Sequence, residues 1–138
     1  MNKSNLHSIT QYLESKRAVK FAYLFGSCAG NEDGPLSDID LAVYLDKRLD
    51  SFTTRLRFLD ELSRLLRGYP CDLVVLNTAS LILQYEVIRG GRVIKEDKRR
   101  RIPFETGVVR EYLDTEPIRA VHIKKLKSFF IKGYSLGQ

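Results

Sequence analysis

This 138-residue sequence predicts one α+β domain, a mixed sheet of about four strands covered by helices. Three observations lead there. Four short segments rich in β-branched and aromatic residues are separated by segments with helical apolar spacing. Glycine, proline and asparagine punctuate the joints between them. The apolar fraction, 43%, is ordinary for a globular chain of a size that builds one core.

The elements follow in chain order. Leu6, Ile9 and Leu13 recur at helical spacing, which predicts an opening helix over about 4–17. The run "VKFAYLFG" (19–26) reads as a strand that ends in glycine. "NEDGPL" (31–36) is a turn by composition. "DIDLAVYL" (38–45) is a second strand. A helix follows over about 53–67, with Leu56, Leu59, Leu62 and Leu66 as its stripe, Ser51 or Thr53 as its cap and Gly68 as its stop. "CDLVVLN" (71–77) is a third strand, "SLILQYEVIRGG" (80–91) a helix stopped by its glycine pair, and "RVIKE" (92–96) a fourth strand at an edge. A last helix is expected over about 108–133, interrupted or started at Pro117. There is no internal repeat and no low-complexity segment.

Composition narrows the function classes. No apolar run approaches the ~20 residues of a membrane span, and "MNKSNLHSIT" is not a signal-peptide core, so a cytoplasmic protein is expected. Cys28 and Cys71 are then expected to be free thiols, and His7 and His122 are too far apart in sequence to suggest zinc. The net charge of +6 lies entirely in residues 86–138, above all in "KEDKRRR" (95–101) and "RAVHIKKLK" (119–127). Such a segment is either a solvated face or a docking surface, for an acidic partner or for nucleic acid.

The chemistry concentrates at strand ends. Asp38 and Asp40 lie two apart in an apolar strand, so they project to one face. Carboxylates in such a place cost free energy unless paired, and two together repel unless a cation lies between them. Oxygen-only ligands suit Mg²⁺ or Mn²⁺. Asp72 begins another apolar strand, and if that strand lies beside 38–45, three carboxylates meet at one end of the sheet. Three such groups can hold two divalent ions, which stabilise the attacking and leaving oxygens of a phosphoryl or nucleotidyl displacement. Gly26 lets the backbone approach a phosphate, and the Ser27 hydroxyl can donate to one. No Walker G-K-[ST] is present, so the charge of the phosphates must be met largely by metal. Taken singly, a Gly-Ser turn, a solvated D-x-D and a strand-start aspartate are ordinary; it is their joint placement at the ends of apolar strands that points to a site.

Gly26-Ser27, ten residues, then Asp38-Ile39-Asp40 resembles the G-S-x10-D-x-D signature of the DNA polymerase β-like nucleotidyltransferase superfamily, with Asp72 in "CDLVVL" where a third carboxylate is expected. The short length and the stretch "GGRVIKED…YLDTEP" (90–117) resemble the minimal nucleotidyltransferase (MNT) branch, many of whose members are antitoxins of HEPN/MNT pairs. The resemblance implies the polymerase β-like fold and transfer of AMP from ATP to a tyrosine of a HEPN ribonuclease toxin. It implies Gly26 and Ser27 at the triphosphate, Asp38 and Asp40 on the metals, and Asp72 on the second of two Mg²⁺ ions, near the acceptor. Family members often carry an arginine shortly after the Gly-Ser pair, where this chain has Gly30.

The acceptor can also be argued from size. Sheet, helices and metal face use nearly all of residues 1–138, so the acceptor is expected to be a folded protein that docks. The basic segment from about residue 97 to 138, with Arg99, Arg100, Arg101 and Lys124, is the candidate docking region, and neither a membrane nor stable nucleic-acid binding is expected. Two alternatives stand beside this one: an antitoxin that only binds, and a nucleotidyltransferase acting on a small molecule or an RNA end.

Overall fold

The computed structural model describes residues 3–26 and 38–136, with side chains up to residue 128. The elements are α1 (Lys3–Ser15), β1 (Val19–Phe25), β2 (Ile39–Leu45), α2 (Ser51–Leu65), β3 (Cys71–Val75), α3 (Leu81–Gly90), β4 (Arg92–Lys95), α4 (Lys98–Asp114) and α5 (Glu116–Leu136). The strands form one mixed sheet in the order β3-β2-β1-β4. β1 pairs antiparallel with both β2 and β4, and β2 pairs parallel with β3, so β4 is an edge as expected and β3 is the other. The expected turn at 31–36 lies outside the described residues.

Alternation along the strands sorts the core into two layers. Leu24, Ile39, Leu41, Val43, Leu45, Leu73 and Val75 meet α1 and α2 on one face. Phe21, Tyr23, Ala42, Tyr44 and Val74 meet α3 and α4 on the other. β1 is apolar throughout because it faces both layers, and a register shift between Val19 and Phe21 places Val19 in the layer of Ala22 and Leu24. The second layer is aromatic: Phe21 stacks on Tyr44, and Phe104 of α4 leans on both rings. Tyr23 reaches through this layer to donate its hydroxyl to Glu105 of α4.

Two expectations about helices are corrected. The buried stripe of α2 is Thr54, Phe58 and Leu62, while Leu56 is 49% exposed. Leu56 lies about 200° around the helix from Phe58, so a stripe drawn through leucines alone starts on the wrong face. The cap is Asp50, whose carboxylate accepts the Thr53 N–H at 2.9 Å, rather than Ser51 or Thr53.

The expected helix over 108–133 is interrupted beside Pro117, as expected, and the helix before the break begins ten residues earlier than expected. α4 runs through Pro103, with its basic first turn against the helix dipole. Local carboxylates offset that arrangement: Arg100 pairs with Asp97, and Arg101 bridges Glu96 and Glu105. The chain breaks at Thr115, which leaves Pro117 in the first turn of α5, where its missing N–H costs nothing. Arg119 ties that turn back to α4, lying over the Tyr112 ring and donating to its carbonyl at 2.6 Å. Beyond it the described side chains of α5, including Ile118, Val121, Ile123 and Leu126, are exposed.

The end of α1 depends on a single distant lysine. Lys95 of β4 donates to the carbonyls of Leu13 and Lys16 at 2.7 and 2.9 Å, which completes the C-terminal turn of α1 and favours its dipole. Burial lowers the pKa of this ammonium. Each carbonyl also accepts a backbone N–H, from Lys16 and from Val19; we expect Lys95→Met to destabilise the fold by about 1–3 kcal/mol through the loss of two hydrogen bonds, with neither carbonyl left unpaired. Urea denaturation measures this, and an unchanged midpoint would show that α1 needs no such cap.

Candidate functional site

The sheet topology builds the site. Because β2 and β3 are parallel and in register, Asp40 lies directly beside Asp72. On the other side of β2, Asp40 lies opposite Phe25, the residue before Gly26. The two carboxylates and the end of β1 therefore share one sheet end, on the α3/α4 face. Asp38 sits exposed just before β2 rather than within it. Its charge is still felt by Asp40.

Asp40 is the electrostatic centre. Its pKa is raised from the usual carboxylate value by burial first, then by the negative charges of Asp72 and Asp38. The structure thus brings Asp38 and Asp72 within electrostatic reach of Asp40.

Gly26 is fitted to Asp40. Its φ is +71°, a conformation costly for any residue with a Cβ. A Cβ built there would lie 2.5 Å from Asp40 Oδ2. The glycine thus lets the chain leave β1 immediately against the central carboxylate. Ser27 and Gly30 lie outside the described residues.

Asp72 has a partner that sequence reasoning missed. Arg55 of α2 donates from Nη2 to Asp72 Oδ1 at 3.0 Å and from Nε to the Leu73 carbonyl at 2.7 Å. Asp72 Oδ1 also accepts the Leu73 N–H at 2.8 Å. In the sequence Arg55 is one more charge on a helix, and nothing local ties it to Asp72. Among the described residues, no three His, Cys, Asp or Glu side chains converge closely enough as they stand to hold an ion. The donor set nonetheless fits a hard divalent cation. It is all oxygen, and the charge crowded on Asp40 is what such an ion would relieve.

The basic residues singled out for docking lie elsewhere. Arg99 and Arg100 are exposed in the first turn of α4, and Lys124 is exposed on α5. Arg101 is mostly covered, its side chain 16% exposed between Glu96 and Glu105. Arg100 lines a cavity of about 650 Å³ with Lys20, Tyr44, Asp46, Lys47 and Arg48. That cavity is at the far end of β2, about 17 Å from Asp40 by strand rise.

We expect Gly26→Ala to displace the Asp40 carboxylate as well as strain the backbone. Nucleotide transfer should fall roughly a hundredfold, the usual penalty for an ångström-scale misplacement. Single-turnover kinetics checks this. Full activity would mean that Asp40 tolerates a methyl group at its side and that the close approach is incidental.

Comparison with known proteins agrees with this geometry. Residues 7–100 match the family "Polymerase beta, Nucleotidyltransferase". No curated protein matches significantly. Among solved structures, a chain of a toxin–antitoxin complex with AMP-PNP superposes with a TM-score of 0.77 at 26% identity, covering 89% of this chain and 98% of that one. A chain from the complex of a tri-AMPylated Shewanella oneidensis HEPN toxin with its MNT antitoxin gives 0.73 at 25% identity, covering 92% and 99%. A chain of an MntA–HepT toxin–antitoxin structure gives 0.73 at 24% identity, which adds likeness of fold. The family match spans the four strands together with the Gly26 and Asp38–Asp40–Asp72 cluster, and the chain belongs to the polymerase β nucleotidyltransferase family.

Proposed function

We propose that this chain is an MNT antitoxin that transfers AMP from ATP to a tyrosine of a HEPN-type toxin and so neutralises it. The observation that carries the reading is the Asp40–Asp72 register with Gly26 against Asp40. The similarity to chains of toxin–antitoxin complexes, one with AMP-PNP and one with a tri-AMPylated toxin, supports the choice of donor and acceptor.

In this reading Asp38 and Asp40 hold divalent cation, and Asp72 serves a second ion on the acceptor side. Bound there, Mg²⁺ supplies neutralisation of the phosphates and acidification of the acceptor hydroxyl. Gly26 gives the triphosphate room to approach, and Ser27 is assigned a hydrogen bond to it. The acceptor phenol oxygen forms a bond to the α-phosphorus, the bond to the bridging oxygen breaks, and pyrophosphate leaves. The phenol proton passes to Asp72 or to solvent. A phenol loses its proton near pH ~10 and a carboxylate gains one near ~4, so Asp72 is a weak base without help. Arg99 and Arg100, at the start of α4 and remote from the carboxylates, and Lys124 on α5 are assigned to docking of the toxin, whereas Arg101 chiefly secures the start of α4.

The transfer test uses the purified protein, its cognate HEPN toxin, α-labelled ATP and Mg²⁺. Label should enter the toxin with wild type and not with Asp40→Asn. Toxin neutralised without label would favour an antitoxin that only binds, and label found only on a small molecule or RNA would overturn the choice of acceptor.

Metal dependence has a separate readout in stability. The raised pKa of Asp40 means that the folded state holds the proton more tightly than the unfolded state does. Its ionisation therefore subtracts stability as pH rises above the usual carboxylate value and through the raised one. Asp40→Asn removes that loss. At pH 7 without metal, the variant should melt no lower than wild type. Added Mg²⁺ should raise the melting temperature of wild type and leave that of the variant nearly unchanged. An equal rise in both would place the ion elsewhere.

A further inference from the structure

The edge of β3 is closed by its own site residues. Ile39 donates to the Pro70 carbonyl and Leu76 donates to the Val43 carbonyl, so even-numbered residues of β3 turn their backbone groups toward β2. Leu73 therefore turns its N–H and C=O outward, at the open edge. The N–H is taken by Asp72 Oδ1, the C=O by Arg55 Nε, and Arg55 Nη2 joins the two through Asp72 Oδ1. The ring seals the edge, which would otherwise be free to pair with another strand. It also fixes Asp72 on a cation.

This contact opposes the loading of metal. A guanidinium 3.0 Å from Asp72 weakens that carboxylate as a donor and repels an incoming dication. The pair is accessible, with side chains 36% and 62% exposed, so it can be broken at modest cost. Consistently, the three carboxylates do not converge as the protein stands.

We propose that Arg55 is a positioning residue that holds Asp72 out of the metal site in the nucleotide-free protein, so that Asp72 joins a second cation only when the nucleotide adds its phosphate charge. The inference rests on the assignment of Asp38, Asp40 and Asp72 as metal ligands. Arg55 need touch neither nucleotide nor acceptor; its effect passes through Asp72. The consequence is an ordered site, in which donor binding prepares the acceptor side.

The test is Mn²⁺ binding, followed by electron paramagnetic resonance on the full chain, with and without AMP-PNP. Without nucleotide, Arg55→Gln should bind Mn²⁺ about fivefold more tightly than wild type, the factor equivalent to the ~1 kcal/mol upper value of an exposed ion pair. Arg55→Lys should show a smaller gain, since one ammonium cannot span both Leu73 and Asp72. It also keeps the test valid if Arg55→Gln folds poorly. The gain should vanish in Arg55→Gln/Asp72→Asn, which should match Asp72→Asn alone. Unchanged or weaker binding in both Arg55 variants would overturn the proposal, as would a gain that persists without Asp72. With AMP-PNP present, Asp72→Asn should weaken Mn²⁺ binding by wild type. If it does not, Asp72 is no ligand, and the assignment beneath the proposal falls rather than the Arg55 contact alone.

Discussion

The structure turns on the parallel pairing of β2 with β3. That pairing places Asp40 beside Asp72 on the α3/α4 face, while the odd-numbered residues of both strands go to the α1/α2 core. A one-residue slip would turn Asp72 into the apolar layer and bring Leu73 to the site, so burial of Leu41, Val43, Leu73 and Val75 enforces the register that crowds the carboxylates. The core thus fixes an arrangement that the carboxylates alone disfavour. The remaining elements serve this pair. α2 makes the crossover that parallel strands require and carries Arg55 to Asp72. β1 delivers Gly26 to the other side of Asp40.

The two ends of the sheet divide the labour. Carboxylates gather where β1 ends and β2 and β3 begin. At the far end Lys20, Lys47, Arg48 and Arg100 surround a cavity floored by Tyr44 and Phe104. A chain of formal charge +6 thereby keeps this basic cluster at the end of the sheet opposite Asp40 and Asp72, while Arg55 contacts Asp72.

Much of this was legible in the sequence because it is local. The strands announce themselves by β-branched and aromatic runs, and the i, i+2 spacing of Asp38 and Asp40 needs no tertiary information. Adjacency of β2 and β3 was an inference from where the aspartates fall, and the sheet order agrees with it. Features that depend on side-chain pairing across the chain were not legible. Arg55 reads as one more helix charge until Asp72 is placed beside it. Lys95 reads as an edge-strand lysine until the carbonyls of Leu13 and Lys16 come within its reach. The first turn of α4 reads as a basic run, because the compensating contacts with Glu96, Asp97 and Glu105, and the packing of Phe104 on Phe21 and Tyr44, belong to the folded state. In α2, Phe58 rather than Leu56 marks the buried face, a distinction of phase that leucine counting cannot make.

The central claim is that these three strand ends form a divalent-cation site. The most direct measurement is anomalous diffraction from crystals of the protein with Mn²⁺ and AMP-PNP. The account predicts anomalous density bounded by Asp38, Asp40 and Asp72, at the end of the sheet where Gly26 leaves β1. Mn²⁺ found only at the opposite, basic end, or nucleotide bound at the carboxylates with no ion between, would contradict it.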